Sequence, residues 1–238
     1  MNWISIDFDF FYPSCNLGPE DDEACASAWR ESRARPRLSD FSPERFVQAL
    51  RPILRQMDRI IVAVGHEQAY TVLLPLVSAK DRVYNFDAHN DFYNCSSLPN
   101  LSCGNWAELL QKKTKVAYTW VFPNWKHKKT DVNGVMRSVN CRGMDEREVS
   151  SAISEILPGS TGPVLFVCES PGWVHPRLHG AFLKFVSRLR RISTGAKVEI
   201  LPQVCFGVFR SPLAPRPQEP LKKEPRRYDD YIWPLGVA

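Results

Sequence analysis

Three short stretches of this 238-residue chain carry carboxylates and imidazoles at spacings that suit metal chemistry: Asp7-Phe8-Asp9, Gly65-His66 and Asp87-Ala88-His89-Asn90-Asp91. Alternate residues of an extended chain point the same way, so Asp7 and Asp9 can reach one centre, as can Asp87, His89 and Asp91. Four aspartates drawn together would repel one another and be costly to ionise unless cations sat between them. Two divalent ions would balance that charge. Four carboxylates and two imidazoles, with no thiolate, form a moderately hard donor set with room for water, which favours Mn²⁺ over structural zinc. Taken singly, each piece has a plainer use. A D-x-D suits a helix cap or a loop, and His66 suits a hydrogen-bonded helix start. The coincidence of all three, each after its own apolar run, argues for a dinuclear centre.

The elements that must position these residues follow from periodicity. Short β-rich runs predict strands over 3–8, 59–64, 82–86, 116–122, 164–168 and 197–201. Helical spacing predicts helices over 42–57, 66–79, 104–113, 145–157 and 176–192, the first opened by a Ser-Pro-Glu cap. Alternation of this kind reads as an α/β fold, a doubly wound, mostly parallel sheet with helices on both faces. In such sheets ligands bind beyond the carboxyl ends of the strands, where all three stretches fall.

Residues 1–210 read as a single catalytic domain. Prolines at 212, 215, 217, 220, 225 and 234 forbid regular structure in a tail over 211–238. A second irregular stretch, 17–37, joins an acidic run to an arginine-rich one and reads as a surface insertion.

Composition sets further bounds. Hydrophobic residues make up 44% and charged residues 24%, which excludes a mostly disordered, collagen-like or coiled-coil protein. The net charge of +5, with no basic stripe, falls short of a nucleic-acid signature. No apolar run is long enough to span a membrane, and two aspartates stand where a signal peptide would be apolar, so the expected location is cytoplasmic. Seven scattered cysteines without a C-x-x-C pair fit reduced structural thiols.

Beyond chemistry by type, the motifs resemble those of the ureohydrolases, the arginase and agmatinase family. Asp87-Ala88-His89-Asn90-Asp91 is similar to their D-A-H-x-D, Val64-Gly65-His66-Glu67 to a trimmed G-G-D-H, and Asp7-Phe8-Asp9 with its trailing Pro13 to their D-x-D. Val167-Cys168-Glu169-Ser170-Pro171 resembles the late E-x-N-P strand end whose glutamate holds the substrate guanidinium. In arginases the D-x-D follows the D-A-H-x-D; here it comes first. That order, the short chain and Cys103-Gly104-Asn105-Trp106 resemble the peptide arginases, which convert arginine residues of a ribosomally made precursor peptide to ornithine.

The resemblance implies two Mn²⁺ per chain, bridged by Asp7 and Asp87, with His66 and Asp91 completing one shell and His89 and Asp9 the other. It implies Glu169 as the guanidinium partner, Asp91 as a proton carrier, and Asn105, Trp106 and Tyr93 as substrate contacts. Free-arginine enzymes have a proton-relay histidine in a G-N-x-H stretch; here Gly104-Asn105-Trp106-Ala107 has none and Trp106 cannot serve, leaving His127, His175 and His179 as candidates. Tyr93 replaces an asparagine that holds a free α-carboxylate, which suits an arginine-containing precursor peptide as partner. Three other readings stay open at this point. One keeps the metals but changes the substrate to agmatine, arginine or an acylated amine. Another is a haloacid-dehalogenase-type phosphatase, which shares an N-terminal D-x-D but leaves His66, Asp87, His89 and Asp91 unexplained. The last is a metal-stabilised binding protein without catalysis.

Overall fold

The computed structural model describes residues 1–12, 42–92, 100–123, 140–144, 149–156, 161–171, 173–174 and 176–202. The chain divides into two compact units, Met1–Phe206 and Gly207–Ala238. The second unit, with the proline-rich tail, and the 17–37 insertion lie outside the described residues.

Seven strands form one sheet: β1 (Asn2–Asp7), β2 (Arg59–Ala63), β3 (Arg82–Phe86), β4 (Ala117–Pro123), β5 (Asn140–Met144), β6 (Thr161–Cys168) and β7 (Lys197–Ile200). Their order is β5-β4-β3-β1-β6-β2-β7, and every neighbouring pair is parallel. Parallel strands require crossovers, and the helices among the described residues are α1 (Pro43–Ala49), α2 (Arg51–Leu54), α3 (Gln68–Leu73), α4 (Trp106–Thr114), α5 (Val149–Ile156) and α6 (His179–Ile192). The fold is α/β, with a fully parallel sheet.

Both faces of the sheet are covered, and the two faces differ. On one, Trp3, Ile61, Val83, Trp120 and Phe166 pack with Ala69 and Leu73 of α3 and with Trp106 and Leu110 of α4. On the other, a phenylalanine layer joins Phe8, Phe10 and Phe11 to Phe46 of α1, Phe86 of β3 and Phe182 and Phe185 of α6, with ring centroids 5.1–5.9 Å apart. Phe8–Phe11 is a short 3-10 helix directly after β1. It turns the chain between the two aspartates of the D-x-D.

Several expected elements are reshaped by proline. The helix expected over 42–57 starts as foreseen, with Ser42 Oγ accepting the Arg45 N–H, but it breaks at Leu50 into α1 and α2, because Pro52 has no N–H for the continuing ladder and its ring crowds the preceding turn. The helix expected over 66–79 ends at Leu73, two residues before Pro75. β5 carries no apolar alternation to announce it, since Asn140, Arg142 and Gly143 suit the exposed edge it forms. Among the described residues no helix is long and apolar enough to cross a membrane.

Phe46 is fully buried at the junction of Phe10, Phe11 and Phe86. Phe46→Ala should therefore cost about 3–5 kcal/mol of stability by urea unfolding, whereas a loss below about 1 kcal/mol would place this layer outside the core.

Candidate metal centre

Strand order converts three separated motifs, and a fourth strand end, into one site. The carboxyl ends of β3, β1, β6 and β2 lie side by side, in that order. They bring forward the Asp87 to Asp91 loop, Asp7 with Asp9, Glu169 with Ser170, and His66. Register completes the alignment: Ser5 pairs with Asn85 and Asp7 with Cys168, so these side chains share one sheet face.

His66 is the pivot. Its ring lies parallel to Phe166, 6.0 Å between centroids, and 4.9 Å from the Trp106 ring. Ser5 Oγ meets its Nε2 at 2.8 Å. That leaves Nδ1 facing Oδ2 of Asp87 and Asp91 at 3.0 Å each and Oδ2 of Asp7 at 3.1 Å. Nδ1 is buried and makes no hydrogen bond of acceptable geometry with any of them. A buried nitrogen facing three carboxylate oxygens at this spacing is a donor set that a cation can satisfy.

A second group adjoins the first. His89 Nδ1 lies 2.7 Å from Asp9 Oδ2 and 3.7 Å from Asp87 Oδ1. Asp87 thus turns one oxygen to each group. Its Oδ1 also accepts the His89 N–H at 2.7 Å, and its Oδ2 the Asn85 amide at 3.1 Å. Asp9 Oδ1 accepts the Ala88 N–H at 3.1 Å, tying the D-x-D to the β3 loop. Of the two carboxylates expected to bridge, Asp87 is seen astride both groups. Asp7 gives Oδ2 to the His66 group, while its Oδ1 accepts the Asp9 N–H at 3.0 Å. Residue sets able to hold a cation include His66 with Asp87 and Asp91, and Asp9 with Asp87 and His89, all buried.

Burial and mutual repulsion perturb these groups strongly. Burial, then Asp7 and Asp87, push the Asp9 carboxyl up to about 8 against the lowering pull of His89. Burial and Asp87 likewise raise Asp91 well above the ordinary carboxylate range. For Asp87 burial acts upward too, but His66 and His89 outweigh it and hold the group well below its usual value. Burial would lower His66, yet Cys168, Asp91, Asp7 and Asp87 together carry it well above its usual value. Protons and imidazolium charge are the substitutes available to a cluster without a cation.

Supporting groups fix the donors. Trp106 donates its indole N–H to Asp91 Oδ2 at 2.5 Å, and Asn85 reaches the same oxygen at 3.3 Å. Trp120 donates to the Asp87 carbonyl at 2.9 Å and Tyr118 to the Asn90 carbonyl at 3.0 Å, pinning the loop backbone. Ser170 donates a short hydrogen bond to Asp7 Oδ2. Asp91 and Ser170 have φ of 52° and 50°, left-handed values that cost on the order of 1–3 kcal/mol each where the surroundings enforce them. At Gly65 the Glu67 carboxylate folds back over the backbone, 2.2 Å from where a Cβ would lie, so a side chain there would displace only that movable carboxylate.

The remaining expected residues are placed as follows. Glu169 is buried and its Oε1 lies 2.7 Å from His179 Nδ1 at the start of α6. Trp106 is fully buried against the sheet. Asn105 is buried too, its amide oxygen accepting the Ser102 N–H and its nitrogen donating to the Asn100 carbonyl, each at 2.8 Å, so it builds the turn before α4. Tyr93, His127 and His175 lie outside the described residues. Ser5, Asn85 and Ser170 are functional neighbours that residue type alone does not flag. The signal was available for two of them, as polar residues two positions before Asp7 and Asp87 on otherwise apolar strands. Trp173, with its ring 4.7 Å from His89, is a further neighbour.

Comparison with protein-family models, curated proteins and solved structures found no match to this chain.

A pH dependence follows. In protein stripped of divalent ions, the folded state holds a proton on Asp9 up to about 8, whereas the unfolded chain releases it near 3.8, so stability should fall as pH rises between those values. Asp91 and His66, also raised, act in the same direction. Adding Mn²⁺ to chelator-treated protein should therefore raise Tm more near pH ~8 than near pH ~5, since a cation replaces the lost protons. A Tm indifferent to pH and to Mn²⁺ would contradict the assignment.

Proposed function

We propose that the chain is an arginase-like dinuclear manganese hydrolase that converts arginine residues of a precursor peptide to ornithine, releasing urea. The observation that carries this reading is the placement of Asp87 between two donor groups, His66 with Asp7 and Asp91 on one side and His89 with Asp9 on the other. One cation would be held by the first group and one by the second. When bound, such a pair supplies what no side chain here has, acidification of a water to a hydroxide nucleophile at neutral pH.

The protein's own residues do the rest. Glu169, one strand from Asp7, offers a carboxylate that can accept two parallel hydrogen bonds from a planar guanidinium. His179 fixes its Oε1 and so the plane of that fork. Trp106 and Asn85 hold Asp91, the proposed carrier of a proton to the leaving amine. Cleavage of the guanidine C–N bond by one water then yields urea and an ornithine side chain. The motif resemblance supports a peptide substrate over free arginine through Tyr93.

The test is incubation of the protein with Mn²⁺ and arginine-containing peptides, with mass spectrometry for loss of CN₂H₂ per arginine and a urea assay. Glu169→Gln should keep both metals but lose turnover by a factor on the order of 10² or more, because an amide accepts from one side only and carries no charge. Near-normal turnover with full metal occupancy would remove the guanidine assignment and favour a deacylase.

A further inference from the structure

Six donors of oxygen and nitrogen emerge from the motifs, but the fold adds a seventh of another kind. Cys168 ends β6 in register with Asp7 on one side and Ala63 on the other, between the strands that deliver Asp7 and His66. Its sulfur, a carboxylate oxygen of Asp7 and a ring nitrogen of His66 all lie within 4.8 Å of one another, and all three residues are buried. That spacing lets three atoms touch one ion at ordinary metal–ligand lengths.

One observation beyond the thiol itself points to a ligand. His66 Nδ1 is buried, lacks a hydrogen bond, and faces Asp7 Oδ2 at 3.1 Å. The sulfur's own hydrogen-bond contacts are 3.8 Å to the Ile6 carbonyl and 3.5 Å to Ser170 Oγ, both of which coordination would replace. Among the described residues the second donor group, Asp9 with Asp87 and His89, includes no sulfur.

We infer that Cys168 is a thiolate ligand at the His66 position, making the two metal positions unlike: one of mixed oxygen, nitrogen and sulfur donors, the other of oxygen and nitrogen alone. Sulfur favours softer ions, so the first position takes up Co²⁺ or Zn²⁺ more readily than the second, while both accept Mn²⁺. Coordination breaks the S–H bond and forms the S–metal bond, and the proton leaves to solvent. This inference rests on the metal reading of the site but not on the guanidine chemistry.

The test is titration of chelator-treated full-length protein with Co²⁺, followed by absorption. The expected result is a near-ultraviolet sulfur-to-cobalt charge-transfer band that saturates with the first equivalent, beside the visible bands of bound Co²⁺. Cys168→Ala and Cys168→Ser should both lose that band while still binding Co²⁺, with Kd at that position raised on the order of tenfold or more. The wild-type protein should also release one more proton than Cys168→Ser at that step. Visible bands without a charge-transfer band in the wild type, or a band that survives in both variants, would overturn the thiolate while leaving the metal centre standing. Failure of the wild type to bind Co²⁺, Zn²⁺ or Mn²⁺ would overturn both.

Discussion

Three carboxylate oxygens surround one imidazole nitrogen at 3.0–3.1 Å in a place that water does not reach. Such a gathering is repulsive unless positive charge is shared among its members, and the surrounding structure is arranged so that the side chains have nowhere else to go. Phe166 and Ser5 fix the imidazole, Asn85 and Trp106 fix Asp91, and the Ala88 N–H fixes Asp9. Dispersing the carboxylates would cost these bonds. A divalent cation removes the conflict without breaking any of them, which is why the buried charge argues for a binding site and not for stability in its own right.

The sheet makes this gathering possible. Parallel strands all end on the same edge, and the order β3-β1-β6-β2 sets motifs from positions 7, 66, 87 and 169 beside one another although up to 162 residues separate them, the span from Asp7 to Glu169. The two faces share the labour. The phenylalanine layer anchors the turn after β1, so Asp9 can come back toward β3, while Trp106, Trp120 and Tyr118 on the opposite face reach the β3 loop with their polar ends. Trp106, Trp120 and Tyr118 therefore serve both as core and as hydrogen-bond donors, each carrying its polar atom to an acceptor.

Much of this was legible in the sequence because it depended on local pattern. The strand over 82–86 matches β3 residue for residue, and the other apolar strands agree within a few positions, since buried parallel strands read as short apolar runs. Asp7, Asp9, His66, Asp87, His89 and Asp91 were recognisable by type and by their place after such runs. Other features needed three dimensions. Which strand neighbours which decides that Asp87 is shared between the groups, and no spacing in the chain reveals it. Trp106 reads as a substrate contact from its motif, whereas its depth beneath Asp91 emerges only once α4 packs on the sheet. The pairing of Glu169 with His179 joins the end of β6 to the start of α6 across an intervening turn. β5, polar and at the edge, gives no apolar signal at all.

Anomalous diffraction at the manganese absorption edge, from crystals grown with Mn²⁺, tests the central claim most directly. Two peaks separated by the ~3.5–4 Å of dinuclear sites are expected, one enclosed by His66, Asp7, Asp87 and Asp91 and the other by Asp9, Asp87 and His89. No peak among these residues, with Asp7 and Asp9 turned away from His66 and His89, would contradict it.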